Sequence, residues 1–283
     1  MHPTESETDF SDVHFAEVAR LSQDLFGIHL PISKKPLVYS RLAKRLKENG
    51  MKDFSEYIRY VSSSEGSLEK ISMLSALTTN VTSFFREKHH FDYLVESSLP
   101  ELIQYARSGG RVRFWSAGCS SGPEAYSLAM CVLDLCPEAA SLDIRILATD
   151  IDPAILKVAE QGRYRVQVAK HIPESFMRFT REVKGNGSVA EIEILSPAKE
   201  IISFKNMNLV GDWPISGKFS AILCRNVAIY FDNATQQALW QKFYDALNPN
   251  GLFFSGHSER LTGSAASKFS VVPNVPTTFI KSL

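Results

Sequence analysis

Apolar positions set the reading frame of this chain. From Asp12 to about Ile71 they recur at helical spacing: Phe15, Val18, Leu21 and Leu25 fall three and four apart, and Gly27 ends the run. Pro36 opens a second helix carrying Leu37, Val38, Leu42 and Leu46, which Asn49–Gly50 closes. Phe54, Tyr57, Ile58 and Val61 make a third, Ser62 to Ser67 a loop, and Leu68, Ile71, Leu74 and Leu77 a fourth helix. Beyond residue 110 the period changes. RVRFWS, DIRILAT, FSAILC and GLFFS are short apolar runs that read as strands. Helical stretches at Glu124 to Leu135, Pro153 to Gln161 and Thr235 to Leu247 lie between them. Strands alternating with helices predict an α/β domain with a doubly wound, mostly parallel sheet. The runs Ser270 to Val272 and Thr277 to Lys281 read as two further strands.

One region breaks the alternation. Residues 176–204 hold a Gly185-Asn-Gly turn and also alternating stretches such as VAEIEIL and EIISF. That pattern predicts a small antiparallel insertion. The expected organisation is a disordered leader at 1–11, an all-helical domain at 12–77, a connecting segment at 78–110, and an α/β domain at 111–283.

Composition narrows the class. The chain has 283 residues, 44% hydrophobic and 22% charged, with a formal net charge of zero. A neutral molecule is not an electrostatic nucleic-acid binder as a whole, and no nucleic-acid partner is expected. The four cysteines, Cys119, Cys131, Cys136 and Cys224, form no CxxC pair, so no metal site is expected. Cysteines in apolar runs suit a reducing compartment. The N-terminus is polar and acidic, unlike a signal peptide, and no apolar run nears the roughly 18 residues of a membrane span. A cytoplasmic protein without membrane insertion is expected.

Three polar constellations fall where a doubly wound sheet holds its ligands, beyond the carboxyl ends of the strands. The turn WSAGCSSGPEAYS follows the first strand. Gly118 and Gly122 allow close backbone approach, and Glu124 stands in the first helical turn, as either a ligand contact or a partner of the helix dipole. Its spacing is not GxGxxG, which disfavours a nicotinamide dehydrogenase. ATDID ends the second strand. Asp152, just before Pro153, suits a helix cap and leaves Asp150 for hydroxyl groups of a ligand. CRNVAIYF follows a buried strand and sets Arg225 and Asn226 toward the same crevice, with Tyr230 near it; the alternative is a loop arginine paired with a structural acid. Upstream, TTNVTSFFREKHHF, Thr78 to Phe91, has no clean period and crowds polar and aromatic residues together.

Taken in order, TTNVTSFFREKHHF, WSAGCSSGPEAYS, ATDID, CRNVAIYF and LNPNGLFFSGHSE resemble the successive motifs of the CheR-type chemotaxis receptor methyltransferases, from about Phe15 to the C-terminus. The resemblance implies a class I, Rossmann-like methyltransferase fold and transfer of a methyl group from S-adenosyl-L-methionine to glutamate side chains of chemoreceptors, leaving S-adenosyl-L-homocysteine and a glutamate methyl ester. It assigns Asn80, Thr82 and Arg86 to the cofactor and reaction site, Glu124 to the methionine end of the cofactor and Asp150 to its ribose. Asn208 with Leu209, and Arg225 with Asn226, match cofactor-contacting pairs, and Tyr230 matches a tyrosine near the methyl. Arg86 and Tyr230 are the expected catalytic pair. Where the family's turn usually reads GEEPYS, this chain has GPEAYS: Pro123 replaces the first acid and Glu124 keeps the second. Proline is easily placed at a first helical position, so binding is expected to survive.

The chemistry asks for little. A glutamate with a pKa near roughly 4.3 is already ionised at neutral pH, so no general base is required and His89 and His90 are expected to pack rather than react. The second helix is rich in cations. Arg41, Lys44, Arg45 and Lys47 are read, through the resemblance, as the surface that meets the helical bundle of a receptor; charge alone fits a solvated face equally well. Rival functions are a non-catalytic S-adenosylmethionine-binding signalling module and a methyltransferase of RNA or another protein. No DPPY or NPPY tetrapeptide supports amino methylation.

Overall fold

A computed structural model describes residues 10–78, 80–185 and 190–282. The chain divides into two units, Met1–Thr79 with Tyr230–Asp232, and Asn80–Ile229 with Asn233–Leu283.

The first unit is helical. Helix α1 (Asp12–Phe26) opens with a reciprocal cap: the Ser11 hydroxyl accepts the His14 N–H and His14 Nδ1 accepts the Ser11 N–H, both at 3.2 Å. It ends at Gly27, whose φ of 71° is the left-handed cap that glycine supplies. Helices α2 (Lys35–Glu48), α3 (Phe54–Ser62) and α4 (Ser67–Leu77) follow, α3 capped by Asp53. Their apolar stripes meet in one core through Val18, Leu42, Leu46, Tyr57 and Met73. Phe10 belongs to that core, its ring 4.7 Å from Phe54, and Ser11 is the α1 cap. The leader drawn at 1–11 therefore loses its last two residues to this unit, and residues 1–9 lie outside those described. In α4 the buried face is Met73, Leu74 and Leu77, while Leu68 of the expected stripe is 81% exposed. The segment Tyr230–Asp232 is tied to the end of α1: Phe231 bridges Ile28, and the His29 N–H donates to the Tyr230 carbonyl at 2.8 Å.

The second unit begins with α5 (His89–Tyr93), a π-helical turn at Leu94–Ser98, and α6 (Leu99–Arg107). Then come β1 (Val112–Ala117), α7 (Pro123–Leu135), β2 (Ile144–Asp150), α8 (Pro153–Gln161), β3 (Arg163–Arg165), α9 (Val166–Ala169), β4 (Thr180–Lys184), β5 (Ala190–Ile194), α10 (Ser196–Glu200) and β6 (Ile202–Asn206). The chain finishes with β7 (Phe219–Cys224), α11 (Asn233–Ala246), β8 (Leu247–Ser255), β9 (Phe269–Val271) and β10 (Thr278–Lys281). The main sheet runs β6-β2-β1-β7-β8-β10-β9, parallel except for β10, which is antiparallel to both its neighbours. This is the doubly wound, mostly parallel sheet that the alternation of strands and helices predicts. Strand β7 is buried along its whole length, as a strand covered on both faces must be, and so reads as an unbroken apolar run. Strand order reverses between β1 and β7, which opens a crevice at their carboxyl ends.

A second sheet, β3-β5-β4, is antiparallel throughout. Its membership departs from the 176–204 expectation at both ends. Strand β3 lies upstream of those bounds and joins through Tyr164 opposite Ile192. The EIISF stretch supplies β6, an edge of the main sheet with Ile202 opposite Ile146. A half-buried edge strand alternates just as a hairpin arm does, so periodicity could not separate them. Of the expected turn, Asn186 and Gly187 lie outside the described residues.

Candidate active site

The turn after β1 is shaped by close approach. Gly118 has φ 85°, and a Cβ there would stand 2.3 Å from Val227 Cγ2. The N–H groups of Gly118 and Cys119 both donate to the Thr149 carbonyl, at 2.8 and 2.9 Å, which binds the turn to the end of β2. Ser120, at φ 51°, then turns its N–H to Asp150 Oδ2 at 2.8 Å. The Asp152 N–H reaches Asp150 Oδ1 at 3.0 Å. Asp150 is buried, and burial pushes its carboxyl above the ordinary range against the pull of these N–H groups. Asp152 does what its place before Pro153 implies: its Oδ1 accepts from Ala154 and Ile155 at the start of α8.

Glu124, in the first turn of α7, accepts the Ser116 hydroxyl at 2.6 Å through Oε1 and lies 3.5 Å from Arg225 Nε through Oε2. Burial raises its pKa, and the opposing pull of Arg225 and Ser116 leaves it raised. Arg225 follows the last residue of β7 and its side chain is 2% exposed. Its guanidinium lies between Glu124 and Glu87, with Nε 3.3 Å from Glu87 Oε2, and it packs over the Phe91 ring. Nη2 donates to the Arg86 carbonyl. Among the described residues Nε has its two carboxylate neighbours but no well-aligned hydrogen bond, and Nη1 has no hydrogen-bond partner. A buried unpaired donor on an arginine is costly unless something fills the space before it.

The segment from Asn80 to Phe91 wraps this cluster. Asn80 Nδ2 donates to Asp152 Oδ2 at 3.3 Å, and its carbonyl accepts the Ser120 hydroxyl at 3.2 Å. Thr82 and Arg86 are half-buried, and Arg86 Nη1 donates to the Val81 carbonyl at 3.1 Å. Phe84 and Phe85 anchor the segment. Phe84 meets Tyr164 edge-on at 5.0 Å, and the Phe85 N–H donates to Ser127 Oγ at 2.9 Å. Tyr164 in turn donates its hydroxyl to the Ser121 carbonyl at 2.6 Å, so the small sheet braces the glycine turn. His90 is fully buried, with Nε2 facing the Pro276 carbonyl at 3.1 Å and Thr277 Oγ1 at 3.0 Å.

Asn208 and Leu209 follow β6. Asn208 Oδ1 accepts the Val210 N–H at 3.0 Å. Leu209 is buried, and its carbonyl takes the Trp213 indole N–H at 3.1 Å and Lys242 Nζ at 3.2 Å. The preceding Met207 N–H donates to the Asp150 carbonyl at 3.0 Å, which keeps this loop beside the end of β2. The cluster thus gathers Asn80, Arg86, Glu124, Asp150, Arg225 and Asn226, with Asn208 and Leu209 on the adjoining loop. Tyr230 falls in the helical unit, half-buried, at the end of the 3-10 turn Ala228–Tyr230.

The cations of α2 divide. Arg45 forms a forked pair with Glu69, Nε to Oε1 at 2.9 Å and Nη2 to Oε2 at 2.5 Å, and Tyr57 donates to the same carboxylate at 2.8 Å. Arg41 Nη1 donates to the carbonyls of Leu77 and Thr78 at the end of α4. Lys44 is 79% exposed, and Lys47 is exposed as well. The expected receptor face therefore surrenders Arg45 to an internal bond, because position 45 faces α4.

Two acids escaped the sequence reading. Glu87 lies in REKHH beside the conspicuous histidines. Its Oε1 accepts the His257 N–H at 3.0 Å and faces His257 Nδ1 at 2.9 Å, and Arg225 with His257 holds its pKa below the usual range despite burial. Glu259 ends the SGHSE stretch and accepts backbone N–H groups from the loop after β7.

This fold, with acids beyond β1 and β2 and a basic group beyond β7, has the layout of a nucleotide-cofactor-binding α/β domain. Residues 80–277 match the CheR methyltransferase, SAM binding domain, and residues 14–78 the CheR methyltransferase, all-alpha domain. A probable chemotaxis protein methyltransferase of Rhizobium etli is 46% identical over 86% of this chain and 91% of its own length. The chemotaxis protein methyltransferase of Escherichia coli is 36% identical over 89% and 86%. Chemotaxis protein methyltransferase 2 of Pseudomonas aeruginosa is 36% identical over 89% and 88%. The chain belongs to the CheR methyltransferase family, and its second unit is an S-adenosylmethionine-binding domain.

Proposed function

We propose that this protein methylates glutamate side chains of chemoreceptors, using S-adenosyl-L-methionine and releasing the homocysteine product. The observation that carries the reading is Arg225: a buried guanidinium at the strand switch point, two strands from Asp150, ion-paired with Glu87 and Glu124 through Nε, whose Nη1 has no hydrogen-bond partner among the described residues. An amino-acid carboxylate is the group that would take that donor. Glu124 offers a carboxylate to an ammonium. Asp150 accepts backbone N–H groups, those of Ser120 and Asp152 among them, and a carboxylate's four lone pairs leave capacity for a ribose hydroxyl. The cofactor's three polar ends thus each find a residue of opposite or complementary character.

When bound, the cofactor supplies an electrophilic methyl group on a positively charged sulfur. The protein's part is to hold an ionised glutamate in line and keep water away, since joining opposite charges is favoured in a dry site. Arg86 is the proposed substrate clamp. It binds one carboxylate oxygen and leaves the other to attack; a tight two-point pair would quench the nucleophile. No base is needed, because a glutamate is already ionised at neutral pH; His90 is fully buried. Receptor docking is assigned to the exposed cations of α2, Lys44 and Lys47, with the half-buried Arg41 beside them.

The test is transfer of labelled methyl from the cofactor to receptor-bearing membranes. Base-labile label is expected, as an ester requires; alkali-stable label would mean N-methylation, and cofactor binding without label would mean a signalling module. Arg86→Ala should lower kcat about 100-fold. Wild-type rate and cofactor affinity in that variant would remove Arg86 from the mechanism.

A further inference from the structure

The strand β7 leaves the sheet through Arg225 and Asn226, and the direction it takes is set by one carboxylate. Glu259 is 5% exposed. Its Oε1 accepts the N–H groups of Val227 at 2.9 Å, Ala228 at 2.7 Å and Ile229 at 3.4 Å. Its Oε2 accepts those of Asn226 at 3.0 Å and Gly256 at 2.6 Å. Five backbone donors converge on one side chain. Four of them are successive residues of the loop, a concave nest of N–H groups that favours an anion. Within it Asn226 is held at φ 61°, a left-handed conformation that costs a residue with a side chain unless its surroundings impose it.

Two contacts carry this loop into the crevice. Val227 packs on Gly118, where a Cβ would stand 2.3 Å from its Cγ2, so the loop and the glycine turn fix each other. On the other side, Gly256 leaves no room for change. A Cβ there would lie 2.5 Å from Asn226 Nδ2, 2.7 Å from the Asn226 nitrogen and 2.9 Å from Glu259 Oε2. Arg225, the residue before the nest, is buried, with Nη1 left without a hydrogen-bond partner among the described residues, so its aim depends on where the loop begins.

We infer that Glu259 is a positioning residue for cofactor binding: its carboxylate pins the loop after β7 and thereby aims Arg225 and Asn226. The inference rests on the cofactor reading above and adds to it a residue outside the proposed contact set. In Glu259→Gln one oxygen becomes an NH2 group that meets at least two N–H donors, so the loop must rearrange while side-chain volume is kept.

The experiment is calorimetry with S-adenosylmethionine on the full chain, with receptor and cofactor KM measured separately. Glu259→Gln should weaken cofactor binding at least about tenfold, since small displacements of positioning groups are costly, while the receptor KM stays at the wild-type value. Gly256→Ala, which pushes on Asn226 with the carboxylate intact, should give the same split and stands in if the glutamine variant does not fold. Ile103→Ala, a cavity in α6, is the control for plain destabilisation and should keep wild-type cofactor affinity. Wild-type affinity in Glu259→Gln, or in Gly256→Ala where that replaces it, overturns the inference; so does an equal loss in Ile103→Ala. Failure of the wild-type protein to bind the cofactor would instead overturn the cofactor reading on which the inference stands.

Discussion

His90 shows how environment, not residue type, decides chemistry. Its ring has no exposed surface, lies 5.1 Å from Phe254, and its pKa is lowered to about 3 by burial and by nearby Arg225. The folded protein holds it neutral, while the unfolded chain binds a proton below the ordinary histidine pKa of about 6.5. Its contribution to stability is therefore complete above pH 6.5 and is lost as pH falls toward 3, at about 1.4 kcal/mol per unit. Between pH 6.5 and 5 that amounts to roughly 2 kcal/mol. His90→Phe should remove this part of the slope, and denaturant midpoints read across that range will show it: parallel curves for the two proteins would mean that His90 does not titrate as described. At this scale Glu124 and Asp150 were legible because each holds a fixed place relative to a strand end. Glu87 and Glu259 were not. Their partners are Arg225, His257 and the loop N–H groups, far away in sequence, and nothing local marks them.

Helix α2 carries two roles on one element. Leu42 and Leu46 are buried, Lys44 and Lys47 are exposed, and Arg45 lies between, half-buried against Glu69. Glu69 is 5% exposed, and its pKa stays below the usual range because Arg45, Tyr57 and Asn49 outweigh the cost of burial. Arg45→Ala should leave that buried carboxylate without its cation and cost about 3 kcal/mol, whereas Lys44→Ala should fall within about 0.5 kcal/mol of wild type. Chemical denaturation distinguishes the two, and equal stability would place Arg45 back on the surface. Sequence read α2 itself correctly but could not sort its cations, since residues 44 and 45 differ by one step around a helix and their neighbours come from α4. The same limit produced the error at Ile202. The period of an element is local, while the sheet it joins is decided by residues such as Ile146 elsewhere in the chain.

Over the whole molecule, 31 basic and 31 acidic residues cancel, so the protein carries no net field to draw in a partner. Local charge must do that work, and the exposed cations of α2 are its candidates. The site is built differently: Arg225 and its carboxylates are buried, where mobile ions screen little. The two binding events should then separate under salt. Raising ionic strength from about 50 to 500 mM, which shrinks the screening length to a few ångströms, should lower kcat/KM for the receptor by about tenfold. The cofactor dissociation constant should change less than about twofold over the same range. The double variant Lys44→Glu, Lys47→Glu should begin with a low receptor kcat/KM and lose most of the salt dependence, with cofactor affinity intact. A variant whose receptor kinetics fall with salt as steeply as the wild type would show that docking uses another face, and would leave the site and its chemistry where they are.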